Sequence, residues 1–437
     1  MSKVLTFDLG TTYFKVCLFD EAAQLIAQHR VAVPVDRPTR DRSELPVAAF
    51  CRCLIDAVHD IGRQAGGLRD ATRISFASQA NSFTLLDRYS QPLLPFLLWT
   101  DERARGMAPP LQALASRPDF YPITGVAELD HFFLPAKVLW LHYNEPEIVS
   151  RTRRLCSISD YLVWQLTGNH LTEAGLAGLT GMADIHRLRW WPEALRKVDM
   201  PSEWLPEIVR AVSDAGRVRT ELSQELGLPG DCRLTMGCLD QYASAIGAGN
   251  VEPGRVSETT GTVLATIRCA REFSPNAQSG VFQGPGSVSG VYYQMVFSSV
   301  SASLLEKYRN RLPDRPTFAE LDDLAAQVPP GAEGLQLHPE ASQQPTSEMF
   351  VGRNRSHHRG HEVRAIMEGV ACELRSQVTK LCSDDWPTSV RAAGGAARSS
   401  LWLQIKSQVL GCPVEAVDCL ETTSLGAARL AQLTSGT

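Results

Sequence analysis

Residues Phe7–Asp20 read FDLGTTYFKVCLFD. The apolar run Val4–Asp8 ends on a carboxylate, Leu9-Gly10-Thr11-Thr12 makes a tight turn, and Tyr13–Asp20 returns as an aromatic and β-branched strand. This pattern predicts a hairpin. Asp8 then stands at a strand end, with a glycine turn and two hydroxyls directly after it. Successive backbone N–H groups in such a turn can form an anion-binding concavity. Thr11 and Thr12 add donors, Lys15 adds positive charge, and Asp8 can hold a magnesium ion directly or through water. Taken alone, the segment also reads as a plain hairpin with a charged end.

Other segments repeat the theme of a strand end carrying chemistry. Gly237-Cys238-Leu239-Asp240 sets a carboxylate among apolar residues, where it can act as general base for a hydroxyl; a helix N-cap is the plainer reading. Thr259-Thr260-Gly261-Thr262 is a second hydroxyl-and-glycine turn. Gly394-Gly395-Ala396-Ala397 precedes the predicted helix Ser400–Leu410, and small residues there let a bulky ligand approach the backbone. Trp99-Thr100-Asp101-Glu102-Arg103 offers an aromatic face beside Asp and Arg, suited to a polyhydroxylated ligand; an exposed charged turn is the alternative. Gly-Thr turns near residues 10 and 261 suggest two related halves meeting near residue 250.

Helical periodicity is clear at Pro46–Gly66, Lys137–Tyr143, Ile158–Leu166, Phe318–Val328 and Glu362–Leu381. Ile74–Asp87 and Leu93–Trp99 read as strands, and Leu425–Leu433 as a last helix with Ser424 at its N-cap. Strands and helices mix in both halves, so the class is α/β or α+β.

Composition narrows the field. The 437 residues suggest two or three domains at roughly 150 residues each. Hydrophobic residues at 44% and charged residues at 21% exclude a wholly disordered or collagen-like chain. The net charge of -5 carries no dominant basic stripe, so no nucleic-acid partner is expected; the run Arg353–His361 reads as a solvated loop. No apolar run approaches the ~20 residues that span a bilayer, and the start MSKVLTFDLG lacks a signal-peptide layout. The 11 scattered cysteines read as reduced thiols in a cytoplasmic protein. Walker, G-x-G-x-x-G and G-x-S-x-G patterns are absent. The pair His357-His358 is a poor metal site, because adjacent residues rarely converge.

In their order along the chain these segments resemble the FGGY carbohydrate kinase family, within the actin/Hsp70/sugar-kinase fold group. The resemblance rests on FDLGTTYFKVCLFD, ISFASQANSFTLLD (Ile74–Asp87), LLWTDERA (Leu97–Ala104), KVLWLHYNEPE (Lys137–Glu147) and DYLVWQLTG (Asp160–Gly168). It continues through GCLDQYASAIGAG (Gly237–Gly249), SETTGT (Ser257–Thr262), RAIMEGVA (Arg364–Ala371), GGAARSSLWLQIKSQVLGCPV (Gly394–Val414) and SLGAARLA (Ser424–Ala431).

That resemblance implies an α/β fold of two actin-like (ribonuclease H-like) domains, at 1–249 and 250–437, flanking a central cleft. It implies ATP and Mg2+ as cofactors, with Asp8 on the metal. Gly10, Thr11, Thr12 and Lys15 match the first phosphate motif, and Gly261 and Thr262 the second. Gly394, Gly395, Ala396 and Ser399 match the adenosine side. Asp240 matches the catalytic base, while Gln79, Asn81, Trp99, Asp101, Arg103 and Gln241 fall in the sugar-facing region. The implied activity is phosphorylation of a hydroxyl of a ketose, a pentulose such as xylulose or ribulose favoured, or of a polyol. The partner is that small molecule, and the family allows a homodimer. Ala80-Asn81 stands where xylulokinases carry Met-His, and the Arg-Glu pair of glycerol kinases is missing. Gln241 after Asp240 is glycerol-kinase-like. A non-catalytic sugar or nucleotide sensor, or an actin-like ATPase indifferent to sugar, would use the same fold.

Overall fold

The opening hairpin forms as β1 (Lys3–Leu9) and β2 (Tyr13–Phe19), antiparallel, with Asp8 directly opposite Lys15. β3 (Leu25–Ala32) extends it on the β2 side. The chain then enters α1 (Val47–Ala65), whose apolar stripe Val47, Phe50, Leu54, Val58 and Ile61 is buried. Gly66 ends the helix in a left-handed turn at φ 71°, its N–H returning to the Gly62 carbonyl. Phe50 meets Phe14 and Phe96 edge-on at 5.6 and 5.2 Å, which seats the helix on the sheet.

The computed structural model describes residues 2–277, 279–287 and 290–433. They divide into two compact units, Met1–Gly247 with Arg271–Tyr293 and Thr423–Thr437, and Ala248–Ala270 with Gln294–Thr422.

In the first unit β4 (Ala71–Ser78) lies parallel to β1. The expected strand Ile74–Asp87 is interrupted, and β5 (Phe83–Leu86) belongs to another sheet. Asn81 sits in that break at φ 60°, a left-handed conformation that asparagine tolerates better than most residues. Helices α2 (Leu134–Asn144) and α3 (Ile158–Thr167) follow, the second opened by a Ser157/Asp160 capping box. Next come β6 (Asp214–Arg217), β7 (Arg233–Thr235), β8 (Cys238–Leu239) and α4 (Asp240–Gly247). The main sheet runs β6-β7-β4-β1-β2-β3, with β8 also paired to β4. β7 and β8 are both parallel to β4, and Gly237 between them lets the chain pass close to that strand. A Cβ there would stand 1.7 Å from the Phe76 carbonyl oxygen.

The second unit repeats the plan. β9 (Val256–Thr260) pairs antiparallel with β10 (Leu264–Ala270), and β11 (Tyr292–Ser298) lies beyond β10. α5 (Phe318–Ala326) and α6 (Arg359–Cys382) precede β12 (Val390–Ala393), which joins β9 in parallel, as β4 joins β1. α7 (Ser400–Leu410) leads to β13 (Val414–Ala416), parallel to β12. Lys406 of α7 is fully buried and donates to Glu258 Oε1 at 2.6 Å and Thr260 Oγ1 at 2.8 Å, pinning the end of β9. His358 caps α6 by accepting from the Gly360 N–H at 3.2 Å, which explains one half of the histidine pair without a metal.

The closing helix, α8 (Thr422–Leu433), begins two residues before Ser424. Ser424 is therefore not the N-cap; it lies in the first turn, with its hydroxyl buried and without a hydrogen-bond partner. Among the described residues the cysteines form no disulfide, and no helix is long and apolar enough to cross a membrane.

Three single substitutions and one double substitution test these contacts. Gly237→Ala drives a methyl into backbone and should cost more than ~3 kcal/mol in urea unfolding. Gly106→Ala, where a Cβ meets nothing within 4 Å, should stay within ~0.5 kcal/mol. Lys406→Met strands the Glu258 carboxylate in the interior and should cost ~3–5 kcal/mol, whereas Lys406→Met combined with Glu258→Leu should recover most of that loss.

Candidate functional site

Parallel pairing decides where the first unit gathers its polar groups. Asp8 of β1 and Cys238 of β8 both register with Ala77 of β4, and Leu9 and Leu239 both register with Ser78. The three strands therefore finish at one edge of the sheet, the edge at which open α/β sheets bind ligands. Gly10–Thr12, Gln79–Ser82 and Asp240 all leave from it.

Asp8 is 6% exposed, and Lys15 Nζ lies 3.5 Å from its Oδ2. Asp240 is half-buried at the start of α4, where its Oδ1 accepts from the Gln241 N–H at 2.7 Å. Burial, reinforced by the negative charge of Asp8, pushes the Asp240 carboxyl up to about 7. The two acids, 232 positions apart by their numbers 8 and 240, thus share one electrostatic environment.

A network of buried amides and hydroxyls shapes the same edge. Gln79, 3% exposed, donates through Nε2 to the Gly10 carbonyl at 3.1 Å and accepts from Ser82 Oγ at 2.9 Å. Ser82 Oγ in turn accepts from the Trp99 N–H at 2.9 Å, and Trp99 Nε1 donates to Thr11 Oγ1 at 2.8 Å. The structure thus brings Gln79 and Trp99 to the Gly10–Thr12 turn. Asn81 is used at both ends of its amide: Oδ1 accepts from the Leu134 N–H at 2.9 Å, at the start of α2, and Nδ2 donates to the Leu179 carbonyl at 3.3 Å.

Asp101 and Arg103 are committed to each other. Asp101 is fully buried and accepts from Arg103 Nε at 2.7 Å and from the Ser43 N–H at 2.7 Å. Arg103 also reaches Glu44 at 2.5 Å. They form an internal clamp that holds the Trp99 loop from behind.

Two charged residues were missed from sequence. Lys137 is fully buried and donates to the Phe132 carbonyl at 2.6 Å and the Trp99 carbonyl at 3.3 Å; burial pulls its amine down to about 7. Glu173, 2% exposed, accepts from the Leu176 N–H at 3.0 Å and from the Leu239 backbone. It thereby fixes the strand that delivers Asp240, and burial pushes its carboxyl up to about 7. A lysine inside an apolar helix stripe, and an acid among small residues at Glu173-Ala174-Gly175, were the available signals.

In the second unit the candidate turns are neighbours. Thr259 of β9 registers with Ala393 of β12, so Thr260-Gly261-Thr262 and Gly394-Gly395-Ala396 leave adjacent strands at one edge. Gly394, at φ 86°, packs so close that a Cβ would lie 2.8 Å from the Thr260 carbonyl oxygen. At Gly261 and Gly395 a Cβ would meet nothing within 4 Å. Ser399 caps α7, its Oγ accepting from the Trp402 N–H at 3.0 Å. Ser301 Oγ donates to the Thr262 carbonyl at 2.7 Å and holds that turn.

Comparison with known proteins agrees across the chain. Residues 3–247 match the N-terminal domain of the FGGY family of carbohydrate kinases, and residues 301–435 match its C-terminal domain. The chain is 26% identical to a gluconokinase of Bacillus subtilis (strain 168) over 457 residues, covering 100% of this chain and 88% of that protein. It is 27% identical to a xylulose kinase of Lactococcus lactis over 461 residues, covering 100% of this chain and 88% of that protein. It is also 27% identical to a glycerol kinase of Methylobacterium nodulans, covering 99% and 89%. Among solved structures, xylulose kinase from Rhodospirillum rubrum superposes with a TM-score of 0.89 at 25% identity, covering 99% of this chain and 90% of that one. Xylulose kinase from Lactobacillus acidophilus shares the fold, with a TM-score of 0.90 at 22% identity and coverage of 100% and 90%. With both domain models matched in order, the chain belongs to the FGGY family of carbohydrate kinases, phosphotransferases with an alcohol group as acceptor.

Proposed function

We propose that this chain transfers the γ-phosphoryl group of ATP to a hydroxyl of a ketose, a pentulose such as xylulose or ribulose leading, or of a polyol, with Asp240 as general base. The observation that carries the reading is the shared sheet edge of Asp8 and Asp240, where the charge of one is felt by the other.

Phosphoryl transfer asks a protein mainly to position reactants and to stabilise charge. The Gly10–Thr12 turn offers backbone N–H groups and hydroxyls to a phosphate, and Lys15 offers an ammonium beside them. Gly261 and Thr262 are read as a second phosphate turn in the other unit. Gly394, Gly395 and Ala396, with Ser399, are read as the adenosine side, where the absence of large side chains leaves room for the base. Gln79, Asn81, Trp99, Asp101, Arg103 and Gln241 are read as the acceptor side. Of these, Asp101, Arg103 and Asn81 act by holding loops, since their polar atoms are engaged with protein groups.

Magnesium fits the donor set. Asp8 presents hard carboxylate oxygens beside a second acid whose ionisation it opposes, a repulsion a cation relieves. Mg2+ binds through one or two carboxylates and keeps waters and phosphate oxygens. When bound, the ion supplies charge neutralisation on the phosphate oxygens.

Asp240 accepts the proton of the attacking hydroxyl. A carboxyl held near 7 is better matched to that task at neutral pH than an ordinary aspartate. The sign is fixed by the requirement for the ionised base: turnover falls as pH drops through the raised titration of Asp240, which a cation on Asp8 brings below about 7, and levels above it. In a coupled ADP-release assay over a sugar and polyol panel, Asp240→Asn should lower kcat at least ~10²-fold, with KM for ATP nearly unchanged and the acid limb lost. Near-normal turnover in that variant removes Asp240 from the mechanism. Asp8→Ala should shift the magnesium titration of turnover to higher concentration; an unchanged titration counts against Asp8 as the metal ligand.

A further inference from the structure

Just ahead of the Gly261-Thr262 turn, β9 carries a charge in the interior of the second unit. Glu258 and Thr260 are two positions apart on one strand, so they project from the same face. Glu258 is 1% exposed and Thr260 fully buried. Lys406 meets them from α7, and the side chains of the lysine and the glutamate are both fully buried. The three residues close a ring. Lys406 Nζ donates to Glu258 Oε1 at 2.6 Å and to Thr260 Oγ1 at 2.8 Å, and Thr260 Oγ1 donates to Glu258 Oε2 at 2.5 Å. The helix that carries the lysine is itself fastened to α6, since Trp402 Nε1 donates to the Met367 carbonyl at 3.1 Å.

Stability alone is a poor account of this ring. Taking two charges out of water is costly, and an apolar set of similar volume is often as stable or more so. An apolar set has no direction, however, whereas hydrogen bonds to both oxygens of Glu258 fix the Thr260 hydroxyl in one place. Thr260 is the last residue of β9, and Gly261 and Thr262 follow it directly. The far side of the turn is held as well: Ser301, fully buried at the start of the helix Ala302–Arg309, donates through Oγ to the Thr262 carbonyl at 2.7 Å. The turn is thus gripped at Thr260 and at Thr262, while a Cβ on Gly261 between them would meet nothing within 4 Å. A backbone fixed at both ends and open in the middle is what a preorganised anion cradle requires.

We infer that the buried Lys406–Glu258 pair is a positioning device for the second phosphate turn, and that it acts through the Thr260 hydroxyl to set the affinity for the phosphates of ATP. Lys406, Glu258 and Thr260 are positioning residues, buried behind the turn. The inference rests on the reading of Gly261 and Thr262 as a phosphate turn.

The test is calorimetric titration of the full chain with MgATP, beside urea unfolding and the ADP-release assay. The double variant Glu258→Leu/Lys406→Met should stay folded yet bind ATP ~tenfold or more weakly, because its apolar pair no longer directs Thr260. Thr260→Val, which keeps the shape and loses the hydroxyl, should weaken ATP to a similar degree, and Thr260→Ser, which keeps the hydroxyl, should stay within ~threefold of the wild type. In turnover, KM for ATP should rise in the weakened variants with KM for the acceptor unchanged, a split that general loosening of the fold does not produce. Should the double variant not fold, the Thr260 pair decides the matter. Wild-type affinity in Thr260→Val or in a folded double variant overturns the inference, as does a Thr260→Ser no better than Thr260→Val. Thr262→Val separates the two readings: ATP weakened there but not in Thr260→Val leaves the phosphate turn standing and removes the device behind it, while unchanged affinity in Thr262→Val overturns the phosphate-turn reading and the inference with it. A wild type that binds no ATP overturns the kinase reading itself.

Discussion

The parallel pairing of three strands, Lys3–Leu9, Ala71–Ser78 and Cys238–Leu239, is the constraint on which the first unit's chemistry depends. Residues far apart in the chain reach a common edge because parallel strands must end together when they are in register. A one-residue slip would turn Asp8 to the other face of the sheet. Gly237 protects the register, since the chain can approach Phe76 so closely only without a side chain. Burial at this edge, reinforced by the nearby charge of Asp8, is what raises the Asp240 carboxyl.

Around this edge the structure spends most of its buried polar groups on holding loops. The Gln79–Ser82–Trp99–Thr11 chain of hydrogen bonds, the Asp101–Arg103–Glu44 clamp and the Lys137 amine all serve backbone or ring placement. A rigid aromatic and a fixed hydroxyl turn are what positioning catalysis requires. The second unit solves the same problem with one internal ion pair: Lys406 and Glu258 tie the end of one strand to the neighbouring helix and leave the adjoining glycine turns clear of side chains.

Much of this was legible in the sequence. The hairpin, the helix at Val47–Ala65 and the helix at Ser400–Leu410 obey local rules of alternation, periodicity and glycine stops, and the ordered motifs carry the family. The interruption after Ser78 was not legible, because its cause is tertiary: Asn81 bends the chain to cap Leu134–Asn144, 53 positions further on. The clamp role of Asp101 and Arg103 was hidden for the same reason, since Glu44 and Ser43 lie on a distant segment. Lys137 and Glu173 were passed over because an apolar stripe and a run of small residues hint at burial without showing which groups the buried charge will meet. Ser424 misled because a hydroxyl before an apolar run resembles a cap, while the helix starts earlier, at Thr422.

The helix Thr422–Leu433 belongs to the unit that holds residues 1–247. Gly426 rests on the Ala243 carbonyl so closely that a Cβ would lie 1.8 Å away, and Arg429 donates to the carbonyls of Ile246 and Gly247 at 2.9 and 3.0 Å. The helix that begins with Asp240 is therefore finished by residues nearly two hundred positions later. As the ribosome releases the chain from its N-terminus, the first unit emerges early yet waits, its helix Asp240–Gly247 unsupported, until almost all of the second unit has been synthesised. A complete first unit thus arrives late in biogenesis, and a nascent chain arrested before residue 422 would leave the carbonyls of Ile246 and Gly247 without the Arg429 guanidinium.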